Sequence, residues 1–188
     1  MMKIGVLAVQ GAFIEHEKML EKLGCETIEL RKKDDIAGLD GLVLPGGEST
    51  VQGKLLRELG MFGPLKKLID EGLPVLGTCA GLILLSGDLC NDEARHLQTL
   101  PVTVQRNAYG RQLGSFRTVA DFGELKSVEM TFIRAPVIVN AGKGVKILST
   151  VDEKIVAVEY ENQIGISFHP ELGDDTRVLE YFVGKCRI

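Results

Sequence analysis

The chain has 188 residues, 45% of them hydrophobic, so it is long enough to bury a sizeable core and has the size of one domain. The formal net charge is −4 and neither sign clusters, which excludes the basic surface that a nucleic-acid partner requires. Its apolar runs fall short of the roughly 20 residues of a membrane span, and residues 4–9 are too short for a signal-peptide core. We therefore expect one domain over residues 1–188 in a soluble, cytoplasmic protein.

The first half of the chain alternates short apolar runs with amphipathic stretches. "KIGVLAV" (3–9) predicts a strand, and "FIEHEKMLEKLG" (13–24) predicts a helix that ends at Gly24 with His16 on its charged, solvated face. The apolar side of this helix is expected to comprise Phe13, Ile14, Met19, Leu20 and Leu23. The alternation continues through "CETIEL", "LDGLVLP", a helix from about Ser49, "LPVLG" and a helix from about Ala80. It indicates parallel strands joined by crossover helices, and therefore a doubly wound sheet.

The pattern changes between about residues 97 and 160. Short β-rich runs such as "LPVTVQR", "VEMTFIR", "GVKILST" and "KIVAVEY" predict an antiparallel section packed beside the main sheet. The chain then closes with a strand in "NQIGISF" and a helix capped by Asp174. One face of this helix carries Val178, Leu179, Phe182 and Val183. We predict a three-layer α/β fold with a mostly parallel sheet and a small antiparallel β elaboration.

Cys79 lies in "GTCAGL", where a predicted buried strand turns into a helix. A nucleophile elbow needs small residues two positions on either side, and Gly77 and Gly81 meet that need. The turn would aim the Ala80 N–H and the positive helix end at the thiol, favouring thiolate and offering a donor to an oxyanion. The alternative is an ordinary buried cysteine. That interpretation, with reduced thiols and no zinc site, is the one we give Cys25, Cys90 and Cys186.

A base for this thiol is suggested by "GISFHPEL". Pro170 biases His169 towards extended geometry, so that Glu171 projects to the same side and can contact it. A carboxylate bound to one ring nitrogen fixes the tautomer and leaves the other nitrogen to face a thiol. The alternative is a surface histidine beside a solvated glutamate. The sequence around His96 indicates neither a catalytic nor a purely structural role.

A third turn, "LVLPGGEST", follows another predicted strand and precedes a helix that starts at Ser49 or Thr50. Gly46 and Gly47 allow close approach of a ligand and can turn an N–H towards an oxyanion, although a plain glycine turn is the alternative. All three turns follow the carboxyl ends of strands, the edge of an open α/β sheet where ligands bind. Together they predict an acyl-transfer enzyme with a cysteine nucleophile.

At these residues the chain resembles the class I (triad) glutamine amidotransferases, and most closely the family of glutaminase subunits of pyridoxal 5'-phosphate synthase. "PGGEST", "GTCAGL" and "HPEL" carry the resemblance to the superfamily. "VQGAFIEH", "QRNAYGRQ", "FIRAP" and the form "GGES" carry the resemblance to that subfamily. The likeness extends over nearly the whole chain and implies a flavodoxin-like fold.

The resemblance also implies roles for individual residues. It implies a catalytic triad of Cys79, His169 and Glu171, for which the two turns themselves offer an oxyanion hole formed by Ala80 and by Gly46 or Gly47. Glutamine would be held by Gly47, Glu48, Ser49, Arg106, Ile133 and Arg134. Either Arg106 or Arg134 could pair with the α-carboxylate of glutamine. No metal or organic cofactor is expected.

The implied partner is a TIM-barrel synthase subunit, assembled as a large ring, that receives the ammonia. Gln10 and Gly11 follow the first strand, where an ordinary strand-to-helix turn is the alternative; the resemblance implies that they lie near that interface, where a docked synthase could switch the glycine turn. Two alternatives remain open at this point. One is the glutaminase subunit of another amidotransferase, such as imidazole glycerol phosphate synthase, and the other is a non-catalytic subunit that only binds glutamine.

Overall fold

A large mixed sheet forms the centre of the computed structural model, which describes residues 1–90, 92–109 and 114–187. The strands of these residues are β1 (Lys3–Leu7), β2 (Glu26–Leu30), β3 (Gly41–Leu44), β4 (Val75–Thr78), β5 (Ser86–Leu89), β6 (Leu100–Gln105), β7 (Ser115–Phe122), β8 (Leu125–Ile133), β9 (Val137–Ala141), β10 (Lys146–Val151), β11 (Lys154–Tyr160) and β12 (Gln163–Ile166). The large sheet has the order β2-β1-β3-β4-β12-β11-β9-β6-β5, with β10 beside β11. β7 and β8 form a separate antiparallel pair.

Helices cover both faces of the parallel part of this sheet. They are α1 (Phe13–Lys22), α2 (Ser49–Glu58), α3 (Phe62–Asp70), α4 (Ala80–Leu85) and α5 (Arg177–Lys185), with 3-10 helices at Lys33–Ile36 and Pro170–Leu172. Successive residues of a strand point to opposite faces, so Val43 packs with α1 and α5 whereas Leu42 and Leu44 pack with α2 and α3. The doubly wound α/β fold predicted from the sequence is confirmed.

The β-rich part of the chain differs from the expectation of a section beside the main sheet. β11 pairs antiparallel with β12, and β12 pairs parallel with β4, so the antiparallel strands extend the main sheet itself. β9, β6 and β10 continue this extension. The hydrogen-bonding edge of β12 is thereby paired instead of left open. Only the β7–β8 hairpin is the small antiparallel elaboration that the sequence predicts.

The β7–β8 hairpin packs on the main core through aromatic side chains. Phe116 stacks on Phe132 with ring centroids 4.6 Å apart, and Phe132 lies 5.7 Å from Phe168. Phe122 and Phe132 are among the largest side chains that are fully buried. This packing holds the end of β8 against the segment that follows β12.

The first and last helices, α1 and α5, differ in detail from the sequence predictions. In α1 the side chain of Ile14 is 49% exposed, whereas His16, expected to be solvated, has no exposed surface. His16 shares its helical face with Met19 and Leu20, three and four residues later, and that face packs on the sheet. The buried face of α5 is confirmed.

The start of α5 and the thiols also differ in part from expectation. The helix begins at Arg177 with Thr176 at the N-cap position, and Asp175 Oδ1 accepts the Arg177 N–H at 3.1 Å, so the prediction that Asp174 caps this helix is wrong. Among the described residues all four cysteines are free thiols, but Cys90 is exposed and Cys186 is half-buried instead of buried. None of the helices in the described ranges is long and apolar enough to span a membrane.

Candidate active site

Cys79 occupies a sharp turn between β4 and α4. Its backbone has φ 52° and ψ −101°, a conformation that costs a non-glycine residue free energy and is often found at functional sites. A Cβ on Gly81 would collide with the carbonyl of Leu44, and one on Gly77 would collide with the backbone of Gly81. The elbow can form because positions 77 and 81, on either side of Cys79, are glycines and no larger residue fits there. Cys79 N–H donates to Ile166 O at 2.8 Å, which fixes the elbow to β12.

His169 and Glu171 meet beside this elbow. His169 Nδ1 lies 2.7 Å from Glu171 Oε1, and both residues are buried. The backbone N–H of His169 donates to Thr131 O at 2.8 Å, so the β7–β8 hairpin holds the histidine in place. Glu171 reaches the ring from the 3-10 helix Pro170–Leu172 and not from an extended segment. The predicted contact therefore exists, through a tighter turn than the sequence suggested.

The electrostatics of this pair favour a charged imidazole. Burial lowers the pKa of His169, but hydrogen bonds with Cys79 and Glu171 and the charges of both groups outweigh it and raise the pKa to about 10. Burial also opposes ionisation of Glu171, yet His16 and His169 hold the pKa of this carboxyl below its usual value. The arrangement thus supports an imidazolium between a thiol and a carboxylate.

The glycine turn closes one wall of the site. Gly46 O accepts the N–H of Ala12 at 2.9 Å, and in a trans peptide the Gly47 N–H points to the opposite side. A Cβ on Gly46 would collide with the imidazole of His169, and one on Gly47 would collide with Gln10. Gly46 therefore requires glycine because a buried imidazole fills the space beside it, whereas at Gly47 the blocking atom is the end of the flexible Gln10 side chain.

A cavity of about 420 Å³ opens between these turns. The sequence-predicted residues that line it are Gln10, Gly11, Gly46, Gly47, Glu48, Ser49, Cys79, Ala80, Arg106, Ile133, Arg134 and His169. Glu171 lies behind His169, away from the cavity wall. The thiol of Cys79 approaches Ile133 O at 4.0 Å, so the end of β8 reaches the elbow.

The cavity also has a charged side. Arg106 donates to Glu48 Oε1 at 3.0 Å and to Asp92 Oδ2 at 2.6 Å. A backbone N–H of Ala94 and the Arg106 guanidinium hold the pKa of Asp92 below its usual value. Ser49 is buried, and within the described residues its hydroxyl meets no hydrogen-bonding partner. A cation and an anion, Arg106 and Glu48, therefore line the same space as Ser49.

Sequence reasoning missed several residues of this region. Asp92 gave no local signal, because its contact with Arg106 depends on tertiary structure. His16 was assigned to solvent, yet its Nε2 lies 3.1 Å from Thr78 Oγ1 and 3.3 Å from Glu171 Oε2. Its helical spacing from Met19 could have indicated burial. Of the "QRNAYGRQ" motif, residues 110–112 lie outside the described part of the chain.

An elbow cysteine beside a histidine–carboxylate pair, at the carboxyl edge of a doubly wound sheet, is the arrangement of a triad-type glutamine amidotransferase. The chain belongs to the SNO glutamine amidotransferase family, which it matches over residues 6–188. A solved structure described as a glutamine amidotransferase superposes with a TM-score of 0.94 and 42% identity, over 98% of this chain and 99% of that one.

Two relatives make the similarity more specific. Pyridoxal 5'-phosphate synthase subunit PdxT of Desulfitobacterium hafniense (strain Y51) is 63% identical over 183 residues, which cover 97% of this chain and 92% of that protein. The protein of the same description from Streptococcus pneumoniae (strain ATCC 700669 / Spain 23F-1) is 53% identical over 190 residues, covering 99% of this chain and 98% of that protein.

Proposed function

We propose that this chain is the glutaminase subunit of a pyridoxal 5'-phosphate synthase. It hydrolyses L-glutamine to L-glutamate and ammonia and delivers the ammonia to a synthase subunit. The observation that carries the proposal is the thiol–imidazole–carboxylate array, in which Cys79 and His169 line the cavity and Glu171 binds the imidazole from behind. The similarity to the two PdxT proteins supports the choice of pathway. The chain acts as one glutaminase domain over residues 1–188, in the cytoplasm.

The reaction proceeds through a thioester. The Cys79 thiolate attacks the side-chain amide carbon, and the oxyanion is bound by N–H groups of Ala80 and of Gly46 or Gly47. The protonated His169 transfers its proton to the amide nitrogen as the C–N bond breaks, releasing ammonia. Water then loses a proton to His169 and attacks the thioester carbonyl. The C–S bond breaks, glutamate leaves and the thiolate–imidazolium pair is restored.

The charged side of the cavity suits the zwitterionic end of glutamine. Arg106 lies beside Glu48, so a cation and an anion stand next to each other at the cavity wall. The α-carboxylate would approach Arg106 or Arg134, and the α-ammonium would approach Glu48. The buried hydroxyl of Ser49 and the backbone of Gly47 and Ile133 complete the binding site.

The partner is a TIM-barrel synthase subunit in a large hetero-oligomer. Ammonia released into open water is protonated and loses its nucleophilicity, so a receiving subunit is required. Gln10 and Gly11 line the cavity mouth and form part of the proposed interface. Gln10 Oε1 accepts the Glu48 N–H at 2.8 Å, and Gln10 O accepts from Gln52 Nε2 at 3.0 Å. A displacement of Gln10 by the partner would therefore also move the glycine turn.

The decisive experiment combines the purified chain with the cognate pyridoxal 5'-phosphate synthase subunit and, separately, with the synthase subunit of imidazole glycerol phosphate synthase. We expect co-purification, and glutamate and ammonia release, with the first partner only. Cys79→Ala should lower release by roughly 10⁴-fold or more, while the exposed-thiol control Cys90→Ala retains it. Activity with the second partner alone, or turnover by the Cys79→Ala variant, would reject the proposal.

A further inference from the structure

A second histidine lies behind the candidate triad and has no part in the chemistry described so far. His16 belongs to α1 and has no exposed surface. Its Nε2 faces two oxygens, Thr78 Oγ1 at 3.1 Å and Glu171 Oε2 at 3.3 Å. Thr78 immediately precedes Cys79, so this one nitrogen stands between the elbow strand and the carboxylate.

The carboxylate of Glu171 needs a second donor. Its Oε1 is bound by His169, whereas Oε2 is buried and, among the described residues, meets no hydrogen bond of good geometry. A buried carboxylate oxygen without a donor destabilises the folded state, because it has lost its hydrogen bonds to water without replacement. Nε2 of His16 lies 3.3 Å from this oxygen. A small movement of either side chain would complete this contact.

The protonation of His16 follows from its surroundings. Burial lowers the pKa of His16, and this outweighs the attraction of Glu171, so the ring is neutral and carries one N–H. Its Nδ1 is buried and finds no partner in the described part of the chain, whereas Nε2 faces a carboxylate oxygen, which can only accept, and a hydroxyl, which can donate or accept. The proton therefore belongs on Nε2, where it can be donated.

We propose that His16 is a positioning residue that donates its Nε2–H to Glu171 Oε2 and so holds Oε1 against the ring of His169. This inference rests on the proposed triad and extends it by one residue. With Oε1 fixed, His169 keeps the proton on Nδ1 and presents Nε2 to the Cys79 thiol. The contact with Thr78 ties the same histidine to the strand that carries the elbow.

A purely structural role for His16 makes a different prediction. A side chain that only fills the core can be replaced by one of similar size without a specific effect on the thiol. His16→Leu removes the donor and introduces an apolar side chain of comparable volume, whereas His16→Gln keeps an N–H near the position of Nε2. Lys22→Ala, at the exposed end of the same helix, is the matched control.

The first measurement uses the chain in complex with the synthase subunit. We expect His16→Leu to lower kcat by roughly tenfold or more, with KM for glutamine changed by less than about twofold, because the substrate-binding wall is untouched. His16→Gln should restore most of kcat. Equal kcat in His16→Leu and wild type, or equal losses in the Leu and Gln variants, would overturn the proposal.

The second measurement needs no glutamine turnover and therefore remains informative if the proposed function fails. Iodoacetamide labelling is followed by mass spectrometry of the Cys79 and Cys90 peptides, with the exposed Cys90 as internal reference. We expect His16→Leu to slow labelling of Cys79 severalfold, His16→Gln to recover it and Cys90 to stay constant. If His16→Leu does not fold, the test uses His16→Gln instead. Labelling of Cys79 in His16→Gln that is as slow as in a Glu171→Gln variant would overturn the proposed role of His16. Unchanged Cys79 labelling in a folded His16→Leu variant would overturn it as well.

Discussion

At the scale of single residues, the site depends on charge placed in a buried region. His169 is buried, yet its contacts with Cys79 and Glu171 raise its pKa to about 10. A buried charge is tolerated only when it is paired and hydrogen-bonded, and here both conditions are met on opposite sides of one ring. The residues that compensate this charge are the same ones that the proposed chemistry uses. Removing any one of them should therefore disturb both catalysis and protonation.

The protonation of His169 can be measured directly. Because its pKa in the folded chain is raised from 6.5 to about 10, its charge contributes stability that is fully present below about pH 6.5 and lost as pH rises through about 10. An NMR titration of the imidazole signals should give a midpoint near 10 for His169 and a lower midpoint in Cys79→Ala. His96, whose pKa burial lowers, is the internal control. A His169 midpoint near 6.5 would refute the paired arrangement.

Glu171 offers a second test at this scale. Glu171→Gln keeps the shape of the side chain but lets an amide impose a different tautomer on His169, so kcat should fall by roughly 10²- to 10⁴-fold. The fall should be smaller than in His169→Ala, because a misoriented base is still a base. Steady-state kinetics in the complex would measure both variants, with the exposed Glu71→Gln as control. Wild-type turnover by Glu171→Gln would reduce this residue to a packing role.

At the scale of elements, the turns after strands define the site. The turn after β3 packs its Gly46 against His169, and the turn after β1 donates the Ala12 N–H to the carbonyl of that glycine. The turn after β4 carries the thiol. Three adjacent parallel strands thus end in three turns that line one cavity, which is how a parallel sheet concentrates chemistry at one edge.

The glycine turn can be tested by adding one methyl group. In Gly46→Ala the new Cβ would collide with the His169 imidazole, so we expect a stability loss of about 1–3 kcal/mol and a large loss of turnover. Gly63→Ala, in α3, meets no atom within 4 Å of the added Cβ and should change stability by less than about 1 kcal/mol. Thermal unfolding and glutamate release would be measured for both. Equal behaviour of the two variants would show that the wall is loosely packed.

The order of residues along the chain predicted those parts of the fold that depend on near neighbours in the sequence. The elbow followed from the spacing of Gly77 and Gly81, and the alternation of strands and helices gave the doubly wound sheet. The burial of His16 depends on the rotation of α1 against the sheet, which its charged neighbours concealed. The extension of the sheet through β11 depends on pairing between distant segments, and the contact of Arg106 with Asp92 depends on a fold already formed. Such long-range contacts leave no periodic trace in the sequence.

At the scale of the whole molecule, the cavity lies beside the residues that we propose as the partner interface. Gln10 and Gly11 line it, and the side chain of Gln10 accepts the Glu48 N–H just after the glycine pair. A Gly-Gly peptide can reverse its N–H direction at little steric cost, although the Gly46 carbonyl is now held by Ala12. A synthase that displaces the β1–α1 turn could therefore reset the oxyanion hole.

Activation by the partner is the expected consequence. The isolated chain should hydrolyse glutamine slowly or not at all, and the cognate synthase should raise the rate severalfold or more. Gln10→Ala should weaken this activation more than it lowers the unfolding temperature, with Lys22→Ala as control. Glutamate release would be titrated against synthase concentration for each variant. Full activity of the isolated chain, unchanged by synthase, would mean that the hole is preformed.

The central position of β12 has a consequence for biosynthesis on the ribosome. β4 lies between β3 and β12, and the amide of Cys79 bonds to Ile166 in β12, which is synthesised long after the elbow. A nascent chain that has emerged only as far as α4 has its thiol but neither the strand that fixes it nor the histidine that would ionise it. Pairings between such distant segments form late in folding. Incomplete chains would therefore carry an unactivated thiol and would not release ammonia.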